Sequence, residues 1–320
     1  MAFQIVCNDI VKVKADVLVN AANEGLMAGS DVCGAIFRSA GYDAMTAACR
    51  EIGHCDTGSA VITPAFALPA KYVIHTVGPI WQGGSRHERD LLYGCYENSL
   101  ALAARHKASS IAFPLISSGI FGYPKEEALQ VCLEAVQDFL EDHDMTVYLV
   151  VFTPDIIQLE QKLKWGIAAY VAEHFRDSRA CTYGHVKYSK STIEADELCY
   201  LRLPEDLPPR AETFSEMLLR LIDEAGKDDV VVYKKANIDR KLFSKIRTNP
   251  DYTPSKKTVL ALAIALELPR DQADKLLEKA GYSLSDAIKE DVIVSYFLSQ
   301  HCYDIYRIQA AIFAFCNDEG

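Results

Sequence analysis

Several things are scarce in this chain of 320 residues. Its ten cysteines include no Cys-x-x-Cys pair, so zinc-ribbon and thioredoxin-type chemistry lack their usual ligand spacing. The nearest metal set is Cys49 with His54 and Cys55, whose spacing fits no common zinc pattern, and no metal is expected. No apolar run approaches the ~18 residues of a membrane span. The opening MAFQIVCNDIVKVKADVLV has neither a basic flank nor a small-residue cleavage site, so the expectation is a cytosolic protein with reduced thiols. Positive charge is short too: 33 Lys and Arg against 44 Asp and Glu leave a net charge of -11. That excludes a general nucleic-acid coat or membrane-surface binder, although a local basic face can hide in an acidic average.

Apolar residues, by contrast, make up half the chain, enough to bury a sizeable core and to expect two domains. From Phe3 to about Phe175, short apolar runs (FQIV, DVLVNA, SAVITP, KYVIHTVG, SSIAFPLI, TVYLVVF) alternate with amphipathic stretches such as KEEALQVCLEAVQDFLED. Strands this uniformly apolar are buried on both faces. With helices between them they predict an α/β fold, a three-layer α/β/α sandwich on a mixed, largely parallel sheet, over residues 1–175. Residues 176–212 read as a linker with a short extension strand, ending in a proline pair. Residues 213–320 read as a separate all-α domain, several of whose helices begin at Ser or Asp caps.

In open sheets of this kind ligands bind at the carboxyl ends of strands. NAAN, ISSGIFGY and FTPD each follow a strand and so share one rim. Ala28, Gly29, Ser30 and Gly34 let backbone approach a ligand, and SDVCGAIFRSAG then starts a helix whose first amides can face an anion. SSGIFGYPKEEAL repeats the arrangement. Each loop taken alone is equally a plain tight connection; two on one rim suit a diphosphate. Asn20 and Asn23 offer donors and acceptors for ribose hydroxyls or for shaping the loop, the structural role being favoured at Asn20 and the ligand at Asn23. Asp9 reads as an acceptor for an exocyclic amine or as a cap, Phe152 as a base-stacking or a core residue, and His75 as a satisfied core histidine.

DIVKVKADVLVNAAN, DVCGAIFRSAG, GHCDTGSAVITPAFALPAKYVIHTVGP and IAFPLISSGIFGYP together resemble the macrodomains that bind ADP-ribose and remove it from proteins, over about the first 160 residues. The resemblance implies an ADP-ribose crevice with no further cofactor. In it Asp9 holds the adenine amine while Ile10 and Phe152 flank the ring. Gly29, Ser30, Val32 and Gly34 of the first loop, and Ser117, Ser118, Gly119, Ile120, Phe121 and Gly122 of the second, hold the diphosphate. Asn23 holds the distal ribose with Tyr123 close to that end, and Asn20 supports them.

Two departures bear on catalysis. Where hydrolytic members similar to this chain carry Asp, this chain carries Cys33, as alphaviral macrodomains do; Asp31 replaces an expected glycine. A carboxylate near a diphosphate repels it unless turned outward. The implied catalytic set is Asn23, Asp31 and Cys33. Asp31 or a substrate phosphate oxygen activates water, Asn23 fixes the sugar, and Cys33 stands as a wall.

Residues 213–284 resemble the lambda-repressor-like (XRE-type) helix-turn-helix family, chiefly in ANIDRKLFSKIRTNPDYTPSKKTVLALAIALEL. The resemblance places Arg240, Lys241, Ser244 and Lys245 toward a major groove and Arg247 near phosphates. Between residues 234 and 257 stand eight Lys or Arg against two Asp. A protein-interaction or dimerisation module ranks ahead of DNA binding, since such charges also suit solvated helix faces.

The leading reading is an ADP-ribosyl hydrolase acting on modified protein or nucleic acid, directed by its helical domain. A non-catalytic reader of ADP-ribose or an NAD-derived signal, coupled to a DNA- or protein-binding domain, is the alternative. A DNA-binding regulator with an inert macrodomain is the third.

Overall fold

The computed structural model describes residues 2–176 and 212–316. The expected linker and its extension strand fall almost wholly outside the described residues. All six apolar runs form strands: β1 (Phe3–Cys7), β2 (Val17–Ala21), β3 (Ala60–Pro64), β4 (Tyr72–Thr76), β5 (Ser110–Phe113) and β6 (Thr146–Val151). They build one sheet in the order β1-β6-β5-β2-β4-β3. All neighbours run parallel except β3 with β4, which is antiparallel. The central residues Val17, Leu18 and Val19 are fully buried because both sheet faces are covered.

Helices α1 (Asp31–Ala40) and α2 (Tyr42–Ile52) follow β2; α2 went unread in the sequence. The α3 helix (Glu88–Arg105) precedes β5, α4 (Lys125–Asp142) leads to β6, and α5 (Gln161–His174) follows it. None of the described helices is long and apolar enough to cross a membrane.

The second region is all-helical, as its caps foretell: α6 (Phe214–Glu224), α7 (Asp229–Lys235), α8 (Arg240–Thr248), α9 (Lys256–Ala265), α10 (Arg270–Lys279), α11 (Lys289–Ser299) and α12 (Ile305–Cys316). Thr213 and Glu216 form a reciprocal capping box at α6, while Asp239 and Ser255 cap α8 and α9.

This region is seated on the edge of the sheet. The Phe3 amide donates to Asn237 Oδ1 at 2.6 Å, and Asn237 Nδ2 donates to the Phe3 carbonyl at 2.9 Å. One carboxamide thus answers both outward-facing groups of an edge-strand residue, which water or another strand must otherwise satisfy. The Phe3 ring meets Tyr306 of α12 at 5.4 Å between centroids, and α5 packs on α11 through Tyr170 and Tyr296. A single apolar core, from Phe3 and Val17 to Leu262 and Phe297, joins the two regions.

Candidate functional site

A crevice of about 340 Å³ opens at the carboxyl ends of β2, β5 and β6, within the size range of small-ligand pockets. One wall runs from Asn23 through Gly29, Ser30, Asp31 and Val32 to Cys33; the other comprises Ser117, Ser118, Gly119, Ile120 and Phe121, with Phe152 beside them. The sequence reading missed Ala21, Ala22, Pro114, Leu115, Val150 and Ile156, which also line the crevice. Their signal was available in kind: each sits at or just beyond a strand's carboxyl end, where the rule about ligand position applies to apolar residues as much as to polar ones.

The first wall ends at the start of α1. Its opening amides have no intrahelical acceptor, and Ser30 at the N-cap makes no side-chain cap bond. The helix can approach the loop this closely because residue 34 is glycine: a Cβ there would stand 2.6 Å from the Gly29 carbonyl oxygen. In the second wall Gly122 N donates to the Gly119 carbonyl, Tyr123 N to Ser117 O and Ser118 Oγ to Leu115 O. Among the described residues the amides of Gly119, Ile120 and Phe121 have no backbone acceptor. The walls therefore present two sets of N–H donors and no cation, an arrangement suited to an anion held by backbone.

Each wall carries one residue in a strained backbone conformation. Asp31 has φ 48° and Ser117 φ 62°, both left-handed. The Ser117 hydroxyl is buried with no hydrogen-bond partner, and glycine at 78 is what admits it, since a Cβ there would lie 2.1 Å from Ser117 Oγ. Asp31 is exposed and supplies the only carboxylate among the described lining residues.

Asn23 staples its own loop: its Nδ2 donates to Met27 O at 2.8 Å and its Oδ1 accepts from Met27 N at 3.0 Å. The Cys33 thiol, 7% exposed, donates to the same Met27 carbonyl at 3.7 Å and accepts from Asn20 Nδ2 at 3.5 Å. Asn20 is fully buried and stands off the lining; its Nδ2 also meets His75 Nδ1 at 3.0 Å, and His75 Nε2 meets Thr63 Oγ1 at 2.9 Å. Burial pushes the His75 imidazole down from 6.5 to about 4, so the ring is neutral and hydrogen-bonded at both nitrogens. Cys33 therefore connects to a buried polar chain crossing β2, β4 and β3. Cys49, at 3.9 Å from His75 Nε2, has its thiol pushed up to about 11 by burial and then by Cys33.

Asp9, Ile10, Gly34, Gly122 and Tyr123 also fall outside the lining. Asp9 caps the single turn Ile10–Lys12, accepting from Val11 N at 3.2 Å. Ile10 is buried in the core cluster that contains Cys33 and Phe37, and Tyr123 is buried against Trp81 at 4.5 Å between ring centroids. Phe152, by contrast, is 74% exposed, an aromatic face left open at the crevice. His54 pairs with Asp56, and the described residues hold no group of three His, Cys, Asp or Glu able to ligate a metal.

On α8, Phe243 and Ile246 are buried while Arg240, Lys241, Ser244, Lys245 and Arg247 are exposed. Most of the basic cluster is answered internally. Arg247 pairs with Asp229, Lys235 with Glu267, Lys256 with Asp291 and Lys257 with Glu290, and Lys234 donates to the Glu141 carbonyl. Lys245 lies over the Tyr252 ring at 4.1 Å. Among the described residues, Arg240, Lys241 and Lys245 are the members of that cluster given neither a carboxylate nor a carbonyl partner.

A family profile described as Macro domain matches residues 19–132. A macro domain-containing protein of Methanosarcina mazei is 48% identical over 149 residues, covering 46% of this chain and 79% of that protein. The O-acetyl-ADP-ribose deacetylase of Cronobacter sakazakii is 48% identical over 165 residues, covering 50% of this chain and 91% of that enzyme. Among solved structures, an Oceanobacillus iheyensis macrodomain with ADP is 40% identical, with a TM-score of 0.46, covering 52% of this chain and 91% of that one.

Proposed function

The chain belongs, through the first half of its length, to the macro domain family, and on that premise we propose that it binds ADP-ribose in the crevice and hydrolyses its bond to a modified protein or nucleic acid. The observation that carries this reading is the pair of opposed, amide-bearing loops at the strand ends, with Asn23 at one end of the crevice and the open Phe152 ring beside the other wall. It is supported by 48% identity to a protein named O-acetyl-ADP-ribose deacetylase. In this scheme the backbone amides of residues 30–33 and 119–121 take the diphosphate. Phe152, Asp9 and Ile10 serve the adenine end, and Asn23 the distal ribose.

Asp31 accepts a proton from a water that attacks the anomeric carbon of the distal ribose. The bond from that carbon to the modified group breaks, and the group departs with the bonding electrons and the proton. Cys33 serves as a wall held by Asn20 and Met27, not as a nucleophile: the hydrogen bonds of its sulfur among the described residues run to a carboxamide and a backbone carbonyl. Residues 213–320 act as a targeting module, with protein ahead of DNA as the target, because among the described residues five of the eight cations of the basic cluster already have an internal partner.

The test is release of ADP-ribose from an auto-modified protein by wild type, Asp31→Ala and Cys33→Ala, with calorimetry of ADP-ribose in parallel. Binding without release makes the protein a non-catalytic reader. Absence of both sinks the assignment of the crevice.

A further inference from the structure

A second cavity, of about 540 Å³, adjoins the crevice, and the two share Asn23 and Phe121 in their linings. Whatever is attached to a ribose held by Asn23 continues past that residue into the second space. An acetyl group leaves most of 540 Å³ empty, so the volume suits a larger attachment. Glu24, Thr57, Ile80, Arg86, Glu88 and Leu91 are among its lining residues.

Their polar groups are unequally engaged. Glu24 accepts from Thr57 Oγ1 at 2.9 Å. Glu88 is 2% exposed, and its carboxylate accepts from the amides of Gln82 at 3.1 Å, Gly84 at 3.2 Å and Arg86. Burial raises its carboxyl, and these amides with its own outweigh that and hold it lowered. One carboxylate thereby ties down the whole turn of residues 82–86. The backbone of that turn is bound, whereas the Arg86 side chain is exposed and has no partner among the described residues. A fixed backbone with a free guanidinium positions charge for something outside the protein.

We propose that the second cavity is the subsite for the modified polypeptide, and that Arg86 selects acidic peptide sequence around the ADP-ribosylated residue. This rests on the reading of the first crevice as the ADP-ribose site. A carboxylate flanking the attachment point reaches Arg86 while Ile80 and Leu91 cover the aliphatic part of the peptide.

The test uses the full chain and one peptide scaffold carrying ADP-ribose through a non-cleavable linkage, with Asp, Asn or Lys at the flanking positions, and affinity read by fluorescence anisotropy. Wild type is expected to bind the Asp peptide about threefold to fivefold tighter than the Asn peptide, a rim-charge effect that fades as salt rises. Arg86→Gln should abolish that preference and Arg86→Glu should turn it toward the Lys peptide. Both variants keep the backbone amide that Glu88 uses. If free ADP-ribose binds but the flanking residue changes nothing, the subsite is wrong and the crevice stands. If free ADP-ribose does not bind, both fall. A single-stranded oligonucleotide bearing ADP-ribose that binds tighter than the Asp peptide overturns the assignment to polypeptide.

Discussion

In the helical region, the non-glycine residues with left-handed backbone among the described residues are Asn237, Glu267 and His301, each two positions past the last residue of a helix, at the ends of α7, α9 and α11. There the conformation closes the helix: Ile238 N, for example, reaches back to Tyr233 O at 3.0 Å. In the sheet region, Asp31 and Ser117 adopt the same conformation in the two walls of the crevice. Among the described residues, the buried side-chain atoms without a partner, Asn20 Oδ1, Thr46 Oγ1 and Ser117 Oγ, all lie in the sheet region as well. The sheet region also has left-handed backbone at Leu26, Phe66, His87 and Lys107, outside the crevice lining, so two of its six such residues stand in the crevice walls, whereas all three in the helical region close a helix. Strain of this kind costs roughly 1–3 kcal/mol per residue and persists where surrounding packing enforces it.

The comparison can be attacked where its effects are largest. Removing the one carboxylate among the described lining residues, by Asp31→Ala, should lower ADP-ribose release about 100-fold to 10,000-fold, as expected for a lost general base. Calorimetry of ADP-ribose should show binding retained. If turnover survives, a substrate phosphate oxygen is the base and the strained Asp31 has only a structural part.

Next in size is the polar chain behind Cys33. The folded pKa of His75, about 4, lies below its ordinary 6.5, so the unfolded chain takes up the proton first. The stability this confers is complete above about pH 6.5 and is lost as pH falls toward 4, on the order of 3 kcal/mol. Urea unfolding across that range should show the loss, and His75→Asn should flatten it.

Asn237→Gly keeps the left-handed backbone but deletes both side-chain bonds to Phe3, and should cost about 2 kcal/mol in urea unfolding. A negligible cost would mean that water answers the sheet edge as well as the carboxamide does. Smallest of all, Arg240→Gln with Lys241→Gln on the open face of α8 should change stability by no more than about 0.5 kcal/mol. The same double variant, titrated with duplex DNA over a range of salt, shows whether these cations serve phosphates: a reduced salt slope places them on DNA.

The strands were legible because Val17, Leu18, Val19 and their counterparts are buried on both faces, which leaves an unbroken apolar run in the sequence. The second-region helices were legible through Thr213, Asp239 and Ser255, whose cap bonds are local. In the crevice, the glycine-bearing loops could be read as backbone approaching a ligand, since that demand acts on the residue itself. Less could be read where a role depends on distant partners. The burial of Asn20 depends on Cys33 and His75, and that of Tyr123 on Trp81. The tie between Glu88 and residues 82–86 is short in sequence, but a buried carboxylate answered by amides looks like any other acidic helix start. The hold of Asn237 on Phe3 spans 234 residues and leaves no local trace.

That last bond also sets an order of events during synthesis. Phe3 leaves the ribosome 234 residues ahead of Asn237, and its outward amide waits until residue 237 has been made. At roughly 5–20 residues per second, the interval is on the order of ten seconds or longer. Through it the first strand keeps an open hydrogen-bonding edge beside an apolar face, so a nascent chain truncated before Asn237 should be the species most inclined to pair with its neighbours.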